Sequence, residues 1–325
     1  MSLSTLQQAL QQIDQSLQAI APALAGHLRS GLTAAHIRAK LASLPLQLPA
    51  EVYTLYQWHD GSDLEHPVEL LPNYRFLCLD EVLAVYAQTV AIYEGVDCEE
   101  GRSRYTPTWF PLFAEDGNYY LVQGVDRGVD PPPTTAPILD FCSEDPETPV
   151  VFDSLTAMMQ AIAACWQSGA YRVEPLAESQ FHTVGDNSCA RLWLTYQPER
   201  SAQLAALIRG ETAQLTPEQR RQSYRDLVAT QPELALSILS AELATRSQTD
   251  PDHCFDLIHA LGQLQTPAAT ASLLPYLNHA HQGIRAAVVG ILVWAVPTPI
   301  LQAVPNLAAI VPSLLSLFNR EPDEE

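Results

Sequence analysis

The sequence predicts an α+β domain, an antiparallel sheet flanked by helices, followed by an all-α array of helical repeats. Three observations carry this. Up to residue 58 apolar side chains recur every three or four positions, the helical rhythm. Residues 68–152 switch to short β-branched and aromatic runs separated by turn residues. From Pro217 onward strand signals vanish, alanine and leucine dominate, and a 30-residue offset superposes one segment on the next. A length of 325 residues, 47% hydrophobic and 17% charged, fits two globular domains.

In chain order, Leu3, Leu6, Leu10, Ile13, Leu17 and Ile20 make one stripe on a helix otherwise covered by glutamines. The stripe falls short of about three heptads, so an amphipathic helix lying on its own domain is favoured over a coiled-coil seam. Residues 1–29 are assigned to this helix and residues 30–172 to the α+β domain. Thr33 is the N-cap of a second helix with Ile37, Leu41 and Leu44 on one face, stopped by Pro45. Leu46–Pro49 is an extended link. Pro49 then opens a third helix whose core face is Val52, Leu55, Tyr56 and Trp58. His59-Asp60-Gly61-Ser62 ends that helix, with Gly61 in the left-handed position.

Leu70–Leu77 contains a turn, and Asp80-Glu81 starts a helix through Val82, Val85, Tyr86 and Val90. Gly95–Pro107 reads as a loop. Trp109–Phe113 and Tyr119–Val122 read as strands joined by the hairpin turn Glu115-Asp116-Gly117-Asn118. Pro131-Pro132-Pro133 breaks the chain, and Ile138–Phe141 and Val150–Phe152 are further strands. Asp153-Ser154 caps a helix with Leu155, Met158, Met159 and Ile162 inside. Contiguous hairpin-linked strands between helices mean an antiparallel sheet.

These residues resemble a known family. Thr33-Ala-Ala-His-Ile37, Leu48-Pro49-Ala-Glu51 and Trp58-His59-Asp60-Gly61 resemble the opening of the SUKH superfamily, which includes the Smi/Knr-type cell-wall assembly regulators and many bacterial immunity proteins. Tyr74–Leu79, Trp109-Phe-Pro-Leu-Phe113 with Asp116-Gly117, and Asp153-Ser154-Leu155 continue the pattern, so the resemblance spans roughly residues 30 to 170. It rests on order and spacing rather than on any single motif. Asp60 stands where the family usually has Asn, and Gln123 near where the hairpin strand usually ends in Asp. The resemblance implies protein recognition rather than catalysis, as a regulator or a toxin-neutralising partner. It makes Trp58, His59, Asp60, Gly61, Trp109, Asp116 and Gly117 the candidate binding positions.

Residues 173–216 are read as a connector that packs on the first domain; within it Arg191–Tyr196 reads equally as a strand or a helix start. In the repeats, Ile258 falls on Val288, Leu261 on Ile291, Leu264 on Trp294, Pro267 on Pro297 and Leu277 on Leu307, while Asp226-Leu227-Val228 falls on Asp256-Leu257-Ile258. The segment 258–288 resembles HEAT-type repeats. Arg285 matches that family's arginine near the start of the first helix, and about three units fit residues 217–319. Such arrays present a binding surface; they also occur in lyases that attach bilin chromophores. Residues 320–325 form an acidic tail.

Composition narrows the partners. With 37 acidic residues against 17 basic ones the formal net charge is −20, which disfavours nucleic acid and anionic membrane and favours a basic protein surface. Solubility alone is the competing explanation. Six scattered cysteines contain no C-x-x-C pair, which argues for idle thiols in a reducing compartment, and no leader or membrane span is expected. His59-Asp60 with Cys78 invites an acid–base reading, Glu115, Asp116, Asp126 and Asp130 a calcium site, and His279 with His281 a metal pair. A helix end, turn chemistry and an exposed loop account for each without chemistry. The expectation is a cytoplasmic, non-enzymatic protein-interaction module, a regulator or scaffold, with no cofactor and no metal. An immunity protein and a bilin lyase-like enzyme are the alternatives. The oligomeric state is left open.

Overall fold

A computed structural model describes residues 3–62, 65–93, 105–143, 148–177, 180–186 and 188–304. The chain divides into two compact units, Met1–Pro198 and Glu199–Glu325.

The first unit opens with α1 (Leu3–Ile20), whose Leu6, Leu10, Ile13 and Leu17 are fully buried. Each such side chain contributes about 1.5–3 kcal/mol on leaving water. A short helix α2 (Pro22–Ala25) leads to strand β1 (Leu28–Ser30) and helix α3 (Ala34–Leu41). Thr33 caps α3 by accepting a hydrogen bond from His36 N at 3.2 Å. Strand β2 (Leu46–Gln47) precedes α4 (Ala50–Trp58). Pro49 is the N-cap of α4 rather than its first helical residue, and Val52, Leu55 and Tyr56 are buried as expected.

Helix α4 ends at Trp58 as expected, but the residues after it are more than a helix end. These residues form strand β3 (His59–Ser62), paired antiparallel with β1. Gly61 does have a left-handed φ of 68°, but its role is close approach: a Cβ there would lie 2.2 Å from Cys78 N.

The main sheet is six-stranded and antiparallel throughout. It contains β4 (Glu69–Leu71), β5 (Tyr74–Phe76), β6 (Trp109–Glu115), β7 (Asn118–Gln123), β9 (Ile138–Phe141) and β10 (Val150–Phe152), in the order β10-β9-β7-β6-β5-β4. Between β7 and β9, β8 (Val125–Asp126) leaves the sheet to pair with β2. The β6–β7 turn places Asp116 and Gly117 at φ 40° and 89°, the paired positive values that the sequence Asp-Gly allows.

Helix α5 (Leu79–Tyr93) follows β5, and α6 (Leu155–Ser168) follows β10, capped by Ser154 and closed by Gly169. Leu155, Met158, Met159 and Ile162 are all buried. Helices α1, α4 and α6 share one core with Phe76, Phe113 and Val122 of the sheet. Alternate strand residues, Leu121, Leu139 and Phe141, join Tyr105 and Trp109 in an aromatic cluster on the opposite face. The loop expected over Gly95–Pro107 falls largely outside the described residues.

The chain then forms a hairpin, β11 (Tyr171–Ala177) and β12 (Gln180–Gly185), and helix α7 (Ser188–Thr195). Thr183 N and its hydroxyl donate to the side chain and carbonyl of Glu69 at 2.8 and 2.7 Å, so the hairpin covers the sheet's β4 edge. Arg191–Tyr196 thus resolves as helix. Trp193 packs on Phe152 and Tyr120 and donates to the Tyr171 hydroxyl at 2.9 Å.

The second unit is helical among its described residues. Helix α8 (Pro198–Ile208) is followed by α9 (Pro217–Thr230), α10 (Pro232–Arg246), α11 (Pro251–Gln263), α12 (Pro267–Leu273), α13 (Gln282–Gly290) and α14 (Thr298–Ala303). Proline lies at or beside the N-terminus of α9, α10, α11, α12 and α14, where its missing N–H has no helical acceptor to serve. Leu227, Leu257, Ile258, Leu261 and Val288 are buried where the 30-residue offset superposes them. Trp294 departs from the pattern. Its counterpart Leu264 is half-buried, whereas Trp294 is 80% exposed. The tail 320–325 and the repeat residues after Val304 lie outside the described residues.

Candidate functional site

The motif Trp58–Gly61 is built at the junction of α4 and β3, and its polar atoms face inward onto the fold. Trp58 Nε1 donates to Asp14 Oδ2 of α1 at 2.7 Å, and its ring lies near parallel to Phe76 at 6.2 Å. His59 Nε2 lies 3.1 Å from Asp14 Oδ1 and Nδ1 lies 2.8 Å from Arg29 O. Burial pushes the His59 imidazolium down, but the hydrogen bond to Asp14, the Arg29 carbonyl and the Asp14 charge outweigh it, and its pKa is raised. Both ring nitrogens are therefore engaged, and neither is left to activate the buried Cys78.

Asp60 is 3% exposed. Its Oδ1 accepts from Leu79 N at 2.9 Å, at the first residue of α5, and Oδ2 lies 3.3 Å from Arg29. An asparagine could accept the same amide bond; the extra charge of Asp60 is matched here by Arg29. Glu51, also in the motif, is fully buried and receives bonds from the Thr156 amide and hydroxyl at the start of α6. Burial raises its pKa, partly opposed by those bonds.

Trp109 lies in the aromatic cluster on the other face of the sheet from Trp58. Its indole donates to Gln123 Oε1 at 2.9 Å, while Gln123 Nε2 donates to Thr108 Oγ1 and Gly124 O, both at 2.9 Å. The amide at 123 thus acts as both acceptor and donor, which a carboxylate could not. Asp116 and Gly117 occupy the β6–β7 turn, about 23 Å along the strand from Trp109. The sheet separates Trp58 from Trp109, and the hairpin turn stands apart, so the motif residues do not converge on one cleft.

Asp126 lies in β8, away from the Glu115-Asp116 turn, and among the described residues no three His, Cys, Asp or Glu side chains gather around a common point. His279 Nδ1 accepts from His281 N at 3.1 Å and its Nε2 lies 3.1 Å from Gln248 Nε2. Arg285 donates to the carbonyls of His279 and Ala280, both at 2.8 Å, tying the start of α13 to the preceding loop.

Two features of the second unit go beyond the sequence reading. One is a buried polar network: the Tyr224 hydroxyl donates to Glu242 at 3.0 Å and lies 2.6 Å from His253 Nε2. Burial lowers the His253 pKa against the pull of Glu242, so a neutral ring donates from Nε2 to the tyrosine oxygen. The other is a cleft of about 610 Å³ across α9, α11 and α13, bordered by Arg221, Arg225, Phe255, His259 and Trp294. Its one mark in the sequence is a lone tryptophan at an otherwise aliphatic repeat position.

No helix among the described residues is long and apolar enough to cross a membrane. No curated protein matches the chain. Residues 31–161, running from just after β1 into α6, match the SMI1 / KNR4 family (SUKH-1).

Proposed function

We propose that this chain is a cytoplasmic, non-enzymatic protein that recognises another protein, acting as a regulator or scaffold of the Smi/Knr type. The supporting observation is the state of the motif: His59, Asp60 and Trp58 are held by Asp14, Arg29 and Leu79, and so serve the fold rather than a reaction. Recognition is left to the surface. Over residues 1–198 there are 24 acidic residues against nine basic ones, which suits a basic partner. The same acidity favours a second reading, an immunity protein that blocks a basic toxin. The helical second unit fits HEAT-type repeats, which serve the regulatory reading better, since a toxin plug needs one domain.

Affinity capture with the tagged full chain from its host tests this. The expected result is stoichiometric recovery of one protein under stringent washing. Empty capture would sink both readings. A captured partner that kills cells unless this chain is co-expressed would replace the regulator with the immunity protein.

A further inference from the structure

The cleft of the second unit lies in a part of the chain far less acidic than the first unit. Residues 199–304 carry seven arginines against nine acidic residues, close to neutral, and three of those arginines, Arg220, Arg221 and Arg225, lie on α9. Arg221 and Arg225 are one helical turn apart and border the cleft together with Asp256, whose Oδ2 lies 3.9 Å from Arg221. Arg225 is exposed, and among the described residues no ion pair engages it.

The opposite side is apolar and open. Gly290 leaves room, since a Cβ there would meet nothing within 4 Å. Ile291–Ala295 is a π turn, with Val296 N bonded to Ile291 O at 3.1 Å. The extra residue in that turn shifts the side chains out of the α-helical phase, and Val293 and Trp294 emerge 48% and 80% exposed. A large ring held in water beside a cleft is costly unless something covers it.

The cleft spans three helices, and packed helices lie about 8–10 Å apart, so it is about 16–20 Å long. That is long enough for a peptide segment to lie across it. We propose that this cleft docks an acidic, apolar-faced segment of a partner protein, a carboxylate on Arg225 and its apolar side chains on Trp294 and Phe255. The inference rests on the protein-recognition reading and adds the surface and the chemistry of the partner.

A random dodecapeptide phage library panned on the full chain tests it. Selected peptides are made with a fluorescein label and titrated by anisotropy against the wild type, Arg225→Glu and Trp294→Ala. The expected peptides carry Asp or Glu beside Leu, Phe or Trp. Their affinity should fall at least about tenfold in each variant, and should fall again between about 50 and about 500 mM salt. Both side chains are exposed, so the melting temperature of each variant should match the wild type and loss of binding is not loss of fold. Peptides lacking acidic residues, equal binding to the variants, or no selected peptide at all would overturn the proposal. Self-association abolished by Trp294→Ala would overturn it too, by placing a second copy in the cleft. If host capture succeeds equally with both variants, protein recognition stands and this cleft is not its site.

Discussion

Asp14 is the only charged residue of α1, and its carboxylate holds both Trp58 and His59. The substitution Asp14→Ala should therefore loosen α1 from the α4–β3 junction without touching the apolar stripe. A hydrogen bond to a charged group is worth about 1.5–3 kcal/mol. Two are lost, but the Asp14 and His59 side chains are 33% and 20% exposed, so water takes over part of each. The expected loss is about 2 kcal/mol, which for a unit of this size lowers the melting temperature by about 4–8 °C. Tryptophan fluorescence is a suitable assay, because four of the five tryptophans, Trp58, Trp109, Trp166 and Trp193, lie in the first unit. A pH series sharpens the test. The His59 pKa is raised on folding, so its contribution is fully present below its ordinary value of 6.5 and is lost as pH rises through the folded value. The gap between wild type and Asp14→Ala should be widest in mild acid and narrow toward alkaline pH. An unchanged melting temperature at every pH would refute the reasoning and leave α1 held by its leucines alone.

Gly61→Ala should abolish soluble expression, since its Cβ would collide with Cys78 N and Leu77 C within 2.4 Å, whereas Gly117→Ala, with only Ser143 Oγ at 3.9 Å, should cost about 1 kcal/mol in a urea melt. A fragment ending at residue 198 should melt higher than one ending at 172, because only the longer one keeps Trp193 against Phe152 and Thr183 against Glu69; equal melting temperatures would contradict this packing. Tyr224→Phe should destabilise the second unit by about 1–3 kcal/mol by leaving the buried His253 without its acceptor, measured by circular dichroism at 222 nm.

Local periodicity makes the first unit readable wherever one face of an element is buried. The α1 stripe, the Thr33 and Ser154 caps and the Asp116-Gly117 turn all obey rules that act within a few residues. His59–Ser62 misleads for the same reason. The sequence His-Asp-Gly after a helix satisfies a local helix-ending rule, and its pairing with β1, some 30 positions away in the chain, leaves no local mark. Arg191–Tyr196 is ambiguous because a short apolar run suits either period, and its choice of helix is made by Trp193 meeting residues of β7, β10 and β11.

The candidate sites are less legible than the fold, because motif spacing says which residues belong together but not which way their polar atoms point. His59-Asp60 invites an acid–base reading in the sequence, and the position of Asp14 and Arg29 shows these residues, with Trp58, as a joint between α1 and the α4–β3 junction. The cleft on the second unit shows the reverse. Arg225, Gly290 and Trp294 are unremarkable letters in three different helical turns, yet stacking α9, α11 and α13 brings them to one surface. Charge adds a constraint that the whole-chain total conceals. The net −20 belongs mainly to residues 1–198, while residues 199–304 are nearly neutral and carry three arginines on one helix. A single average hides this split between an acidic first unit, which suits a basic partner surface, and a second unit whose near-neutral charge repels an acidic one far less.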